Sequence, residues 1–187
     1  MYFSSVVVMK ATRYLVLFAL SLTSVLAADA DWKAVVTETV PLFGHRNWIV
    51  IADSAYPDQS ADGIETIVSN ADQLEVLQFV LDTLAHSPHV TPTVYLDQEL
   101  SFLDEADAPG VGAYRDQLKA MVQDKTGQSL PHEKIIGKLD EVSRTFHVLL
   151  IKTKLTIPYT SVFLQLDCAY WPPEAEKRLR QRMATSR

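Results

Sequence analysis

Apolar and polar positions follow two rhythms along this chain, and the switches between them mark its elements. From Trp32 to Phe43, apolar residues recur at Val35, Val36, Val40 and Phe43, a helical spacing. Pro41 falls in the last turn, where it bends or ends a helix, and Gly44 suits a carboxyl-terminal cap. "NWIVIAD" (47–53) is then a nearly unbroken apolar run rich in β-branched residues, which predicts a strand buried on both faces. A loop, "SAYPDQSADG", carries Pro57 and Gly63 as punctuation, and "IETIVS" reads as a short strand. Asn70 is placed to cap a helix with a buried stripe of Leu74, Leu77, Val80, Leu81 and Leu84.

After Pro88, "VTPTVYL" predicts another strand, followed by an acidic, irregular segment at 97–109 read as an insertion or lid. Val111 to Lys125 is an amphipathic helix ended by Gly127, and "LPHEKIIGKLDEV" is a helix entered through Pro131. "TFHVLLIKT" and "TSVFLQLDCAY" are strands in close succession, with a link too short for a helical crossover, so they are expected to be antiparallel or bent. Residues 172–187 form a charged tail, better read as a solvated helix than as a basic binding patch. Strands alternating with helices predict an α/β fold with a largely parallel sheet.

The first thirty residues follow a different grammar. Lys10 and Arg13 precede an apolar run from Tyr14 to Leu26, and Ala28-Asp29-Ala30 ends it with the small-x-small pattern of a signal peptidase site. Val25 and Ala27 fit the same rule for a cut after Ala27, and Met9 is an alternative start to Met1. The run is shorter than the roughly 20 residues of a membrane-spanning helix, which favours cleavage over an uncleaved anchor. The expected organisation is a signal peptide at 1–30, an α/β domain at 31–171 and the tail, with an exported protein that has no membrane contact after cleavage.

The net charge is −6; Lys10 and Arg13 against Asp29 make the leader +1, so the remainder is near −7. That charge argues against nucleic acid and anionic membranes as partners. Cys168 is the one cysteine, so no internal disulfide is available outside the cell and a core or an oligomer must supply stability. No Cys/His spacing marks a zinc site, and no dinucleotide fingerprint, P-loop or nucleophile elbow is present.

In open α/β sheets, ligands bind beyond the carboxyl ends of the strands, where Asp53 falls. His45 precedes the same strand, more than about 20 Å away if the chain is extended. The two cannot share a small ligand within one subunit unless the loop folds back. Spacing leaves His45 either a helix-end residue or a catalyst. His132, behind Pro131, is either a surface residue or a functional one, and Tyr159 either donates a hydroxyl or packs at a strand start. His147 is expected in a strand as a core or interface residue, and His86 and His89 in an exposed turn.

Three segments carry a resemblance. "GHRNWIVIADSAYP" resembles the Gly-His, apolar strand, Asp-Ala-x-aromatic-Pro motif of the ribose pyranase and fucose mutarotase family. "KTKLTIPYTSVFLQLDCAYW" resembles its closing motif, and "PHEKI" its His-Glu-x-Phe helix start. The resemblance implies a three-layer α/β/α sandwich with a mixed, mostly parallel sheet, and a ring-shaped homo-oligomer with sites at subunit contacts. It implies His45 as the general acid, Asp53 as a ligand of sugar hydroxyls, His132 as the second-subunit or lid histidine, and Tyr159 as the closing-motif tyrosine. Ser161 falls where the family has asparagine, and Lys154-Leu155 where it has Gly-Glu. Serine offers one hydroxyl in place of an amide's paired donor and acceptor.

The implied activity is interconversion of the anomers, or of pyranose and furanose forms, of a free monosaccharide by histidine-based ring opening. It involves no redox change, so no cofactor and no metal are expected. The alternative is a non-catalytic, oligomeric sugar-binding module, favoured by Ser161 and the altered turn.

Overall fold

The computed structural model describes residues 31–123, 125 and 127–185; the leader and its cleavage sites lie outside the described residues. Six strands form one sheet in the order β2-β5-β1-β6-β3-β4, with β1 Trp48–Ala52, β2 Ile64–Val68, β3 Val90–Asp97, β4 Gly127–Leu130, β5 Val148–Lys152 and β6 Val162–Cys168. The helices are α1 Trp32–Thr39, α2 Gln73–Ala85, α3 Val111–Val122, α4 His132–Val142 and α5 Pro173–Thr185, with a 3-10 turn at Gln98–Phe102. Among the described residues, no helix is long and apolar enough to cross a membrane.

The expected α/β architecture is present. One sheet face packs Ile49, Ile51, Leu149, Ile151 and Leu164 against side chains of α1, α2 and α3. The other packs Val50, Leu150 and Phe163 against Ile135 and Leu139 of α4. β1 lies between β5 and β6 with all five residues buried, which is what its continuous apolar run requires. α5 buries no residue, as a solvated helix would.

β6 alone runs against its neighbours: it is antiparallel to β1 and β3, while β1–β5, β2–β5 and β3–β4 are parallel. The two last strands therefore do not pair with each other; they flank β1. The nine residues 153–161 cross over the end of β1, and Ser54 N–H donates to the Leu155 carbonyl at 2.8 Å. The carboxyl ends of five strands and the amino end of β6 thus meet at one edge.

Several local expectations are corrected. Asp72, rather than Asn70, caps α2, accepting from Leu74 N–H at 2.9 Å, while Asn70 takes a left-handed φ of 51°. α1 ends at Thr39 with Val40 as its cap, before Gly44, whose N–H donates to Asn47. "GQSL" is a strand, not a helix terminator alone: β4 pairs only with β3 at the sheet margin. His147 is exposed just before β5 rather than in a strand, and His89 is half-buried with its ring 3.0 Å from the Phe43 carbonyl.

The acidic segment is a set of helix caps. Glu105 accepts from Gly110 and Gly112 N–H at 2.8 and 2.6 Å at the start of α3, which holds its carboxyl below the usual range. Arg115 donates to the carbonyls of Leu100 and Leu103, tying the 3-10 turn to α3.

Candidate active site

The carboxyl edge gathers acids and hydroxyls from segments far apart in sequence. Asp53 follows β1; its Oδ1 accepts from Ala55 N–H at 2.9 Å, and Ser161 Oγ donates to its Oδ2 at 3.5 Å across 108 residues. Ser161 is buried at the entry to β6. Tyr159, two residues earlier, is 39% exposed and holds a left-handed φ of 56°. Non-glycine residues adopt that region at a cost, and such strain clusters at functional sites.

A buried polar frame holds this loop. Gln73, fully buried at the first turn of α2, donates through Nε2 to the Thr160 carbonyl and to Tyr114 Oη. Tyr114 Oη donates to the same carbonyl at 2.8 Å, and Thr153 Oγ1 donates to Gln73 Oε1 at 3.1 Å. Burial pushes the Tyr114 phenol well above its ordinary range, so it remains a donor. Thr160, between Tyr159 and Ser161, is fixed from behind by α2 and α3.

A second acid completes the edge. Asp97 is the last residue of β3, much as Asp53 comes directly after β1, and strand alternation turns it to the α4 face alongside Tyr95. Its register partner is Leu130 of β4, and two residues on, the chain starts α4 at His132. His132 Nδ1 consequently lies 3.1 Å from Asp97 Oδ1, with the Asp97 side chain 0% and the His132 side chain 28% exposed. The two are at ion-pair distance without a well-aligned hydrogen bond, and neither Asp97 oxygen has another partner among the described residues. Burial pushes the Asp97 carboxyl up to about 6; Glu99 and Asp53 add to the rise and His132 opposes it.

Glu99 and Tyr159 complete the surroundings of His132. Pro131 has no capping side chain, and both Glu99 oxygens accept from the His132 N–H, at 3.1 and 3.0 Å. The Tyr159 ring meets the His132 ring edge-on at 5.6 Å. Tyr56 is buried nearby, its hydroxyl without a partner among the described residues; burial first, then Asp97, Asp140 and Asp53, hold its phenol far above the usual range.

Four sequence-predicted residues, Asp53, His132, Tyr159 and Ser161, therefore share the carboxyl edge. His45 does not join them: it is exposed before β1 at the opposite edge. β1 alone puts about 13 Å between its ends. A cleft of about 570 Å³ opens at that other edge, lined by Arg46, Trp48, Lys138, Glu141, Arg144 and Phe146 among others. Asp97 was missed by sequence reasoning, although an acid ending an apolar strand is the same signal that marks Asp53. Among the described residues, no three His, Cys, Asp or Glu side chains converge as a metal-binding group.

No protein-family model and no curated protein matches the chain. Solved structures do. The structure of Bacillus subtilis RbsD complexed with D-ribose superposes with a TM-score of 0.50 at 20% identity, covering 72% of this chain and 92% of that one. A fucose mutarotase from Streptococcus pneumoniae in complex with L-fucose gives 0.48 at 21% identity, covering 70% and 89%. FucU from Bifidobacterium longum gives 0.49 at 17%, covering 72% and 94%. The first of these shows that the three-layer fold is of the RbsD type.

Proposed function

We propose that the protein binds a free monosaccharide at the carboxyl edge and interconverts its anomers or its pyranose and furanose forms by acid–base ring opening. The observation that supports this best is the convergence of Asp53, Ser161, Tyr159 and His132 on one edge. They come from the three segments whose motifs resemble the ribose pyranase and fucose mutarotase family, on the fold of a protein solved with D-ribose.

The chemistry asks little of the site. A proton goes to the ring oxygen as the bond from the anomeric carbon to that oxygen breaks, leaving its electron pair on the oxygen. The anomeric hydroxyl releases its proton to a base, and its C–O bond becomes the carbonyl. Reclosure from the other carbonyl face, or by another hydroxyl, reverses these steps. Imidazole titrates in the range where it can give or take such protons. Asp53, Tyr159 and Ser161 hold hydroxyls in this scheme, and His132 is the proton-transferring group of the same chain. His45 acts in it only when a second copy delivers its amino edge, so the proposal includes a homo-oligomer with sites at subunit contacts. It also includes export after loss of residues 1–30.

The second reading, a sugar-binding module without turnover, is favoured by Ser161, whose hydroxyl is directed at Asp53 rather than left open. Exchange NMR of a panel of aldoses with the purified protein separates the two. Line broadening of anomeric signals is expected for the enzyme; saturable binding with unaltered exchange would mark the module.

A further inference from the structure

We propose that Asp97 is the positioning residue of His132, a buried carboxylate that fixes the imidazole through Nδ1 and leaves Nε2 to face the sugar. The inference rests on the sugar-opening reading and adds to it a residue that no motif contains.

Three contacts from three elements define the ring. Glu99, from the 3-10 turn, holds the His132 backbone N–H with both oxygens. Asp97, from the end of β3, stands 3.1 Å from Nδ1. Tyr159, from the strained loop before β6, closes on the ring edge at 5.6 Å. Nδ1 is enclosed, whereas the side chain as a whole retains 28% exposure, so the nitrogen on the far side of the ring is the one left for a ligand. A carboxylate behind an imidazole selects its tautomer and stabilises its protonated form, which is what a proton-transferring histidine needs.

Core packing does not explain Asp97. An aspartate whose side chain is fully enclosed is rare unless paired, and each of its oxygens lacks any other partner among the described residues. The groups that bear on it are His132 from α4, Glu99 from the 3-10 turn and Asp53 from the end of β1, with the Tyr56 hydroxyl in the same buried neighbourhood. Two of the three charged neighbours are like charges. A leucine or asparagine would be easier to bury, so the carboxyl is set against stability at a place where a proton-transferring histidine needs it.

The test uses the whole chain and begins without sugar. Carboxyl-carbon NMR follows the Asp97 titration in wild type and in His132→Gln. The wild-type midpoint is expected near 6, and loss of His132 is expected to move it upward, because His132 is the group that lowers it. An unmoved midpoint overturns the pairing. The second arm measures anomer exchange in Asp97→Asn. The turnover rate is expected to fall by about a hundredfold with sugar KM little changed, and the limb of the pH profile near 6 to disappear, with Asp97→Glu restoring part of both. An Asp97→Asn protein with wild-type turnover and the same pH profile overturns the proposal. Should wild type exchange no aldose in the panel, the sugar reading fails, and the carboxyl titration alone decides whether the two side chains act as a unit.

Discussion

The two edges of the sheet carry the same kinds of residues in opposite states. At the carboxyl edge, His132 is held by an acid at its ring and another at its backbone, and the loop above it is braced by Gln73 and Tyr114. At the amino edge, His45 and His147 are exposed, and Arg46 lies over the Phe146 ring at 5.6 Å beside an open cleft. In the proposed mechanism, a histidine with a carboxyl at its ring serves proton transfer within one chain. A histidine in solvent has to be completed by something else. The resemblance to the sugar-isomerising family points to His45, whereas the arrangement within this chain points to His132. A homo-oligomer that joins the amino edge of one copy to the carboxyl edge of the next would reconcile them.

Exchange measurements on the two histidines break this comparison or sharpen it, with the largest effect expected anywhere in the molecule. His132→Gln is expected to lower turnover by about 10²- to 10³-fold, the range of a lost proton-transfer group. His45→Ala is expected to match that loss only if the edges meet between copies. Co-assembled His45→Ala and His132→Gln subunits would then recover part of the activity, because some mixed contacts regain both histidines. If His45→Ala alone is fully active, the amino edge is outside the site and the general-acid assignment falls. Light scattering on the same samples reports whether an oligomer exists at all.

The next effect is on stability, and its sign sets the two edges apart. The Asp97 carboxyl is raised to about 6 from an ordinary 3.8, so the folded state binds the proton more tightly than the unfolded chain does. The protonated form therefore favours folding at pH below about 4, and that advantage is lost as pH rises through about 6. At pH 8, Asp97→Asn is expected to be more stable than wild type by on the order of 2 kcal/mol, with the difference shrinking toward pH 4. Urea midpoints across that range measure it. A mutation that stabilises the fold while removing activity is the behaviour of a functional group held against stability. A loss of stability at pH 8 would mean that the Asp97–His132 contact is structural cement.

What could be read from the sequence follows from how local each signal is. β1 announced itself because it is central and apolar throughout, and Asp53 stood out against it. Asp97 gives the same signal at the end of "VTPTVYLD", but Glu99, Asp104, Glu105 and Asp107 follow at once and merge it into a charged stretch. β4 offers no pattern to find, since it is four residues long, lies at the margin and buries none of them. Gln73 and Tyr114 read as ordinary positions on amphipathic helices; only the crossing of β1 by residues 153–161 gives them a carbonyl to hold. That His45 and Asp53 fall at opposite edges was legible because β1 lies between them. The partnership of Asp97 and His132 depends on β3–β4 register, which is a property of the assembled sheet.

A smaller effect tests the frame behind the carboxyl edge. Gln73→Leu fills similar volume but removes one of the two acceptors of the Thr153 hydroxyl, which keeps the Ala52 carbonyl at 2.9 Å, and one donor from the Thr160 carbonyl, which keeps Tyr114. A loss of about 1–3 kcal/mol is expected by urea denaturation. Because Thr160 sits between Tyr159 and Ser161, sugar KM is expected to rise as well. A change in stability with KM unaltered would show that the frame supports the core without setting the loop.

The smallest expected effect compares the backbones of the two edges directly. Tyr159 and Arg46 are both non-glycine residues in the left-handed region, at φ 56° and 78°. Side-chain contacts differ, so each site needs its own reference: alanine removes the contacts and keeps the strain, and glycine removes both. The difference in unfolding free energy between the glycine and alanine variants at one site isolates the strain, about 1 kcal/mol in favour of glycine. Equal differences at 46 and 159 would make both features of turn geometry, with nothing particular to the carboxyl edge. A larger difference at 159 would mean that the braced loop, tied down through Thr160 on one side and led into β6 on the other, holds Tyr159 where the chain alone would not. The ring would then be kept against His132 by the fold rather than by its own preference, and that is the arrangement a site built for repeated proton transfer requires.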